Sequence, residues 1–442
     1  RARSVIGKRR QVKPAVAALR VCHHIAVLSS SALTCVGLSD SSEAPPGGHL
    51  DRLPDGSLSG VIREAAMASM HAAIAASENE QEQVEECLAA MRLYLRNGVT
   101  CVQTNDADGW KVWHALLRRQ QNDLPLRVLL TAMYADVFDD ESSHHKTPQP
   151  SAHPLLVCER IKIFTDGSLG AQTAALSLPY QGDDEAPHRC SHVHGHGSCG
   201  LLQHEQPALE QMARTATQHA WRLELHAIGD RAAGAVIDAV EAVGAKRAVL
   251  THAQILSPAQ IARMRELGIV ASIQPQFVST DATWAEERLH PTLRDWSYQW
   301  KTLLQQGVRC AGGSDAPIEV PDALLGICDA MCRPRTKQLR AQAAQCYERQ
   351  DAVEDVVFRP EERLDAWTAL ALYTEDAAYC YKREHEQGQL RPGFLADFTV
   401  LDSSARFWEQ GPACLVQGSR LVRQTWVHGR CRHDVEFSPE SD

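Results

Sequence analysis

The chain is poor in three things: long apolar runs, closely paired cysteines and basic charge. No stretch of its 442 residues approaches the roughly 20 consecutive apolar residues that a membrane-spanning helix needs. The formal net charge of -10 argues against a general nucleic-acid binder, whose surface must neutralise phosphates. The 14 cysteines are scattered, as at Cys22, Cys87, Cys158 and Cys310, and no CxxC pair occurs. That excludes a zinc ribbon and points to a reduced, cytoplasmic setting with mostly buried thiols, not a disulfide scaffold. There is no internal repeat and no low-complexity tract. The first residue is Arg1 rather than methionine, which reads as a processed chain or a fragment. The first 20 residues carry no acid, as a targeting segment would require, but His23, His24 and nearby serines interrupt the apolar stretch that follows.

What is present is the rhythm of an enzyme barrel. With 44% hydrophobic and 23% charged residues the composition is that of a globular enzyme, and the length suits one barrel plus a small second domain. Short β-branched or apolar runs alternate with helical patterns, as in βα units. The strands are expected at 99–104, 127–133, 160–165, 222–226, 248–252, 269–274 and 308–312. Helical patterns lie between them, including 83–96 and 258–267, the latter with Ser257 as N-cap. Seven strands are one short of a closed barrel, and the deficit falls at the N-terminus. The expected fold is therefore α/β, a (β/α)8 TIM-type barrel missing its first strand over residues 1–387. A small C-terminal β-sandwich portion follows over 388–442, with strands near 390–402 and 421–428. Segments 39–48 and 181–198 read as loops.

Catalytic groups in such barrels project from the C-terminal strand ends. Lys162, His226, His252 and Asp315 each stand at the end of a different strand and would converge on one mouth. Two neutral imidazoles, a carboxylate and a modifiable lysine suit a divalent metal such as Zn²⁺. A lysine amine ligates only when deprotonated or converted to a carbamate, which can bridge two ions. Asp315 would take the proton of the attacking water and pass it to the leaving nitrogen. Each residue also has a plainer reading: a hydrogen-bonded core histidine, a salt bridge for Lys162, a helix cap for Asp315. The four together, in this order, favour the site. The cluster His192, His194 and His196 has metal-like spacing but sits in a loop rich in Gly, Ser and Asp, and reads as solvated. Trp284, Trp296 and Trp300 suit either a packed long loop or a pocket wall.

With these residues in place the chain resembles the YtcJ-like branch of the amidohydrolases, relatives of N-substituted formamide deformylase. The matching stretches are KIFTDGSLGAQTAAL (162–176), HAIGDRA (226–232), THAQ (251–254), SIQPQF (272–277), GGSDAPIE (312–319) and LRPGFLADFTVLD (390–402). Weaker likeness runs through RVCHHIAVLSSSAL (20–33) and GSLSGVIREA (56–65). The resemblance implies hydrolysis of a non-peptide C–N bond in a small amide, formamide or cyclic amide, with one or two metal ions. It makes Lys162 the metal-bridging lysine, His226 and His252 metal ligands, and Asp315 a ligand and proton shuttle. His24, Asp166, Arg231, Gln274 and Trp284 become pocket candidates. A homodimer fits; nucleic acid and membrane do not. The departure is at the start: the family's first strand ends in a His-x-His pair that is not found here, and Ser29 stands where the family usually has asparagine. Truncation of a longer protein accounts for this most simply. A regulatory or scaffold protein that kept the barrel and lost the metal site is the alternative.

Overall fold

The structure, a computed structural model, describes residues 14–436 apart from 22, 78, 107–108, 120–122, 139–152, 183–197 and 352. The cluster His192, His194 and His196 lies outside the described residues. Two compact units divide the chain, Arg1–Glu78 and Asn79–Asp442. No helix among the described residues is long and apolar enough to cross a membrane.

The first unit is built on an antiparallel sheet of four strands in the order β1 (Ala17–Leu19), β2 (Ile25–Leu28), β4 (Leu58–Glu64), β3 (Gly48–Arg52). Alternation on β4 puts Gly60, Ile62 and Glu64 on the buried face. Ile62 meets Ala26, Leu28 and Leu50 there, with Met67 and Met70 completing a small core. Ser29 opens the helix Ser30–Cys35, its hydroxyl accepting from Ala32 N–H at 3.3 Å. A serine serves this cap as well as the asparagine it replaces in the resemblance.

The second unit holds the barrel sheet. Its strands are β5 (Cys101–Thr104), β6 (Arg127–Met133), β7 (Leu156–Phe164), β8 (Arg222–Ala227), β9 (Val249–His252), β10 (Val270–Ile273) and β11 (Cys310–Gly312). They lie side by side in sequence order, every pair parallel. All seven fall where the sequence pattern predicts them. Near-continuous burial along β6, β8 and β9 is the mark of parallel strands covered on both faces. The helix Pro258–Leu267 shows how local chemistry sets the boundaries. Ser257 and Gln260 form a reciprocal capping box, and Gly268 ends the helix at a left-handed φ of 67°.

The C-terminal segment forms a three-stranded antiparallel sheet from β12 (Phe398–Leu401), β13 (Val422–Val427) and β14 (Arg430–Asp434). Two of these strands were expected, and β14 adds a third. The Thr425 hydroxyl donates to Leu95 O at 2.7 Å and the Thr399 hydroxyl to Gly98 O at 2.6 Å. These bonds tie the sheet to the end of the helix Glu80–Arg96. Of the free thiols, Cys158, Cys310, Cys328, Cys332, Cys346 and Cys380 are buried and Cys35 and Cys431 exposed, whereas Cys199 is disulfide-bonded.

Candidate active site

The motifs 162–176 and 226–232 interlock at Asp166, just beyond β7. The buried Asp166 carboxylate accepts four N–H groups: His226 Nδ1–H and Ile228 N–H at Oδ1 (2.9 and 3.1 Å), Gly229 N–H and Ala175 N–H at Oδ2 (2.9 and 3.0 Å). A carboxylate can only accept, so Nδ1 of His226 carries the proton and its Nε2 holds the lone pair. Gly229 is required by close approach: a Cβ there would sit 1.9 Å from Ala175 O. Arg231 N–H then donates to the same Ala175 carbonyl at 3.1 Å, and Ser177 N–H to Asp230 Oδ1 at 2.9 Å.

His252 arrives at the same place by a different route. Consecutive strand residues point to opposite faces. The Thr251 hydroxyl lies against Lys162 and Glu224, so regular alternation would carry His252 to the far side. Instead His252 and Ala253 adopt left-handed φ values of 80° and 48°. The His252 ring meets the His226 ring edge-on, centroids 4.5 Å apart. Such a backbone costs on the order of 1–2 kcal/mol per residue for an L side chain, and residues held this way cluster at functional sites. His252 Nδ1 bonds Gln274 Oε1 at 2.9 Å, while Gln274 Nε2 donates to Ser272 O at 3.3 Å. The amide is thereby oriented with its oxygen toward the ring, and His252 too bears its proton on Nδ1 and its lone pair on Nε2. Phe164 packs on His226 and Phe277 on His252, at centroid distances of 5.2 and 6.0 Å.

Deeper on the same face lies an ion network. The β7–β8 register sets Lys162 opposite Glu224 and Phe164 opposite His226. Lys162 Nζ donates to Glu224 Oε1 and to Thr251 Oγ1, both at 3.1 Å. Glu224 Oε2 takes Arg160 Nη2 at 3.2 Å and the Thr131 hydroxyl at 3.0 Å. Burial opposes ionisation of Glu224, but Lys162 and Arg160 outweigh it and hold the carboxyl down at about 2. Arg160 also lies over the Tyr381 ring, 4.3 Å from its centroid.

Of the residues picked out from the sequence, Lys162, Asp166, His226, His252 and Gln274 come together, linked by the contacts above. Asp315 is exposed three residues beyond β11, at a left-handed φ of 54°, its carbonyl accepting from Ile318 N–H at 2.9 Å. Arg231 is half-buried, and burial lowers its guanidinium pKa against the opposing charges of Asp230 and Asp166. Trp284 is half-buried and packs against the main core. Trp300 is a core residue, packed edge-on against Tyr298 and under Arg333. His24 belongs to the first unit, where its Nδ1 bonds Glu64 Oε2 at 2.8 Å.

Sequence reasoning missed Glu224, Thr251 and Asp281. Glu224 had a usable signal, a charge between Leu223 and Leu225, two residues before His226 and so on the same face of the strand. Asp281 had none, because it sits on the helix Val278–Arg288 and meets Gln254 and Tyr298 only in three dimensions. Burial pushes its carboxyl up to about 6, against the Tyr298 hydrogen bond of 2.8 Å.

The donor set suits a divalent metal. Two buried imidazoles from adjacent strands each bond through Nδ1 to a buried oxygen, the arrangement that fixes ring orientation in metal-ligating histidines.

A sequence profile of the amidohydrolase family matches residues 11–433. Over 391 residues the chain is 29% identical to Bacillus subtilis (strain 168) YtcJ, an amidohydrolase by name, covering 86% of this chain and 68% of that protein. It is 24% identical over 432 residues to the N-substituted formamide deformylase of Arthrobacter pascens, covering 93% and 72%. Among solved structures, an uncharacterized metal-dependent hydrolase from Pyrococcus horikoshii OT3 superposes with a TM-score of 0.65 at 25% identity, covering 86% of this chain and 70% of that one. A profile that spans the barrel and its C-terminal sheet, over the motifs that interlock at Asp166, decides the assignment: the chain belongs to the amidohydrolase family.

Proposed function

We propose that this protein hydrolyses a non-peptide C–N bond in a small amide, formamide or cyclic amide, using a divalent ion, zinc by the nature of its donors, held on His226 and His252. The observation that carries this reading is the pair of edge-on imidazoles, each with Nδ1–H given to a buried oxygen. Family membership supports it, as do the relatives named for formamide hydrolysis and metal dependence. When bound, a divalent ion supplies Lewis acidity, polarising the amide carbonyl and making water nucleophilic near neutral pH. The chain's own residues do the rest. Asp166 fixes the tautomer and tilt of His226, and Gln274 does so for His252. Phe164 and Phe277 cover the rings and keep water from their faces. Asp315, exposed beyond β11 at a left-handed φ of 54°, is the group proposed to move the proton from water to the leaving nitrogen.

The test is metal content by mass spectrometry on protein incubated with zinc and desalted, followed by turnover of a panel of N-substituted formamides and cyclic amides. About one equivalent or more of zinc in the wild type, lost in His226→Ala and His252→Ala, is the expected result. Asp315→Asn is expected to keep the metal and to lose at least about 100-fold in turnover. Wild-type protein that retains no zinc, or turnover undiminished in Asp315→Asn, would overturn the reading.

A further inference from the structure

We propose that Lys162 carries no carboxylate and ligates no metal: it is the cation of a buried pair with Glu224, and the metal site stands on His226 and His252 without it. The inference rests on the metal reading above only for what holds the ion. The state of the lysine is argued from its own surroundings.

The lysine is enclosed by acceptors. Glu224 Oε1 and Thr251 Oγ1 each lie 3.1 Å from Nζ, and the Thr251 hydroxyl is itself 3.1 Å from Glu224 Oε1, closing a triangle. The pairing is set by the sheet, since Lys162 and Glu224 are register partners on β7 and β8. All three residues are buried. The face of Phe164, with its ring centroid 5.4 Å from Nζ, adds an environment that favours a cation.

Carboxylation would reverse the sign of this arrangement. The amine would form an N–C bond to carbon dioxide and release a proton, so that an anionic carbamate replaced the ammonium beside Glu224. An attraction inside a low-dielectric core would become a repulsion of like charges. Glu224 has no room to turn away. Its second oxygen already takes Arg160 Nη2 and the Thr131 hydroxyl, at 3.2 and 3.0 Å. Arg160 is in turn fixed by Gln103 Oε1 at 2.9 Å and by the Tyr381 ring. The same commitments keep Glu224 from serving as a ligand. Glu224 is thus the structural counter-ion of Lys162, and the two histidines are the metal's anchors among the described residues.

The experiment uses the whole chain. Wild-type protein is equilibrated with zinc and ¹³C-labelled bicarbonate, the carbamate carbon is sought by ¹³C NMR, and zinc is counted by mass spectrometry. No carbamate resonance is expected. Lys162→Arg keeps a cation against Glu224 and cannot be carboxylated, and it is expected to hold as much zinc as the wild type. If the bulk of arginine prevents folding, as judged by circular dichroism, Lys162→Met combined with Glu224→Met takes its place, with the same expectation. A carbamate resonance in the wild type that disappears in either variant would overturn the proposal. So would a loss of zinc in the folded variant matching that of His226→Ala. A wild type without zinc would sink the metal reading alone, because the ¹³C spectrum still decides the state of the lysine.

Discussion

Replacing Asp166 by asparagine is the sharpest test of how the site is held, because it changes one oxygen to an NH₂ group and leaves volume untouched. The carboxylate accepts four buried donors, two on each oxygen. Asparagine retains one acceptor oxygen, so whichever way the amide turns, two N–H groups face a donor. Each buried donor stripped of its acceptor costs about 1–3 kcal/mol, giving roughly 2–6 kcal/mol for the pair. That is a large share of the ~5–15 kcal/mol by which a folded protein is stable. No cavity contributes, so the loss measures the acceptor itself. Hydrogen–deuterium exchange is the appropriate assay, as it resolves the peptides that carry Ala175 and Ile228–Gly229, with urea unfolding followed by fluorescence in parallel. Exchange in both peptides is expected to accelerate and the unfolding midpoint to fall. If both were unchanged, the argument that Asp166 pins the two motifs together would be refuted. Because the same carboxylate orients His226, the variant is also expected to bind zinc about 10–100-fold more weakly.

Gly229→Ala places a Cβ 1.9 Å from Ala175 O, backbone against backbone, and is expected to abolish soluble expression or to destabilise the folded protein by at least ~3 kcal/mol in urea titration. Glu224→Gln strips the charge partner from Lys162 and Arg160 and is expected to cost about 3–5 kcal/mol at pH 7. The sign of its pH dependence is definite. Glu224 titrates at about 2 when folded against an ordinary 4.5, so its stabilisation is complete above pH 4.5 and is lost as the pH falls toward 2. The stability gap between wild type and Glu224→Gln, measured by urea unfolding across that range, should close as acid is added; a gap that stays constant would contradict the assignment. Thr251→Val keeps the shape but removes the hydroxyl that Lys162 and Glu224 share, and is expected to cost about 1–3 kcal/mol by the same measurement.

Much of this molecule could be read directly because its signals are local. The seven barrel strands announce themselves as apolar runs bounded by helical periodicity. Ser257 and Gly268 mark the two ends of one helix by capping chemistry alone. Lys162, Asp166, His226 and His252 could be singled out because strand ends are where barrels place their chemistry, and the contacts described above link these four. The N-terminal four-stranded sheet was less visible: its strands β1 and β2 are only three and four residues long, and too short to establish a period. β14 was hidden because RCRHD reads as polar tail until it is paired with β13.

By itself, then, the sequence determined the strand order, the positions of the helix ends and the motifs that carry family membership, since each depends on residues close together along the chain. Tertiary structure decided how the site is wired. Only folding sets Lys162 opposite Glu224, 62 residues later, and turns a candidate ligand into one half of a buried ion pair. Only folding reverses the backbone at His252, so that two consecutive residues serve one face and its imidazole meets His226. These outcomes depend on register and on a φ angle that neighbours in space impose, and neither quantity is written in the local pattern of side chains.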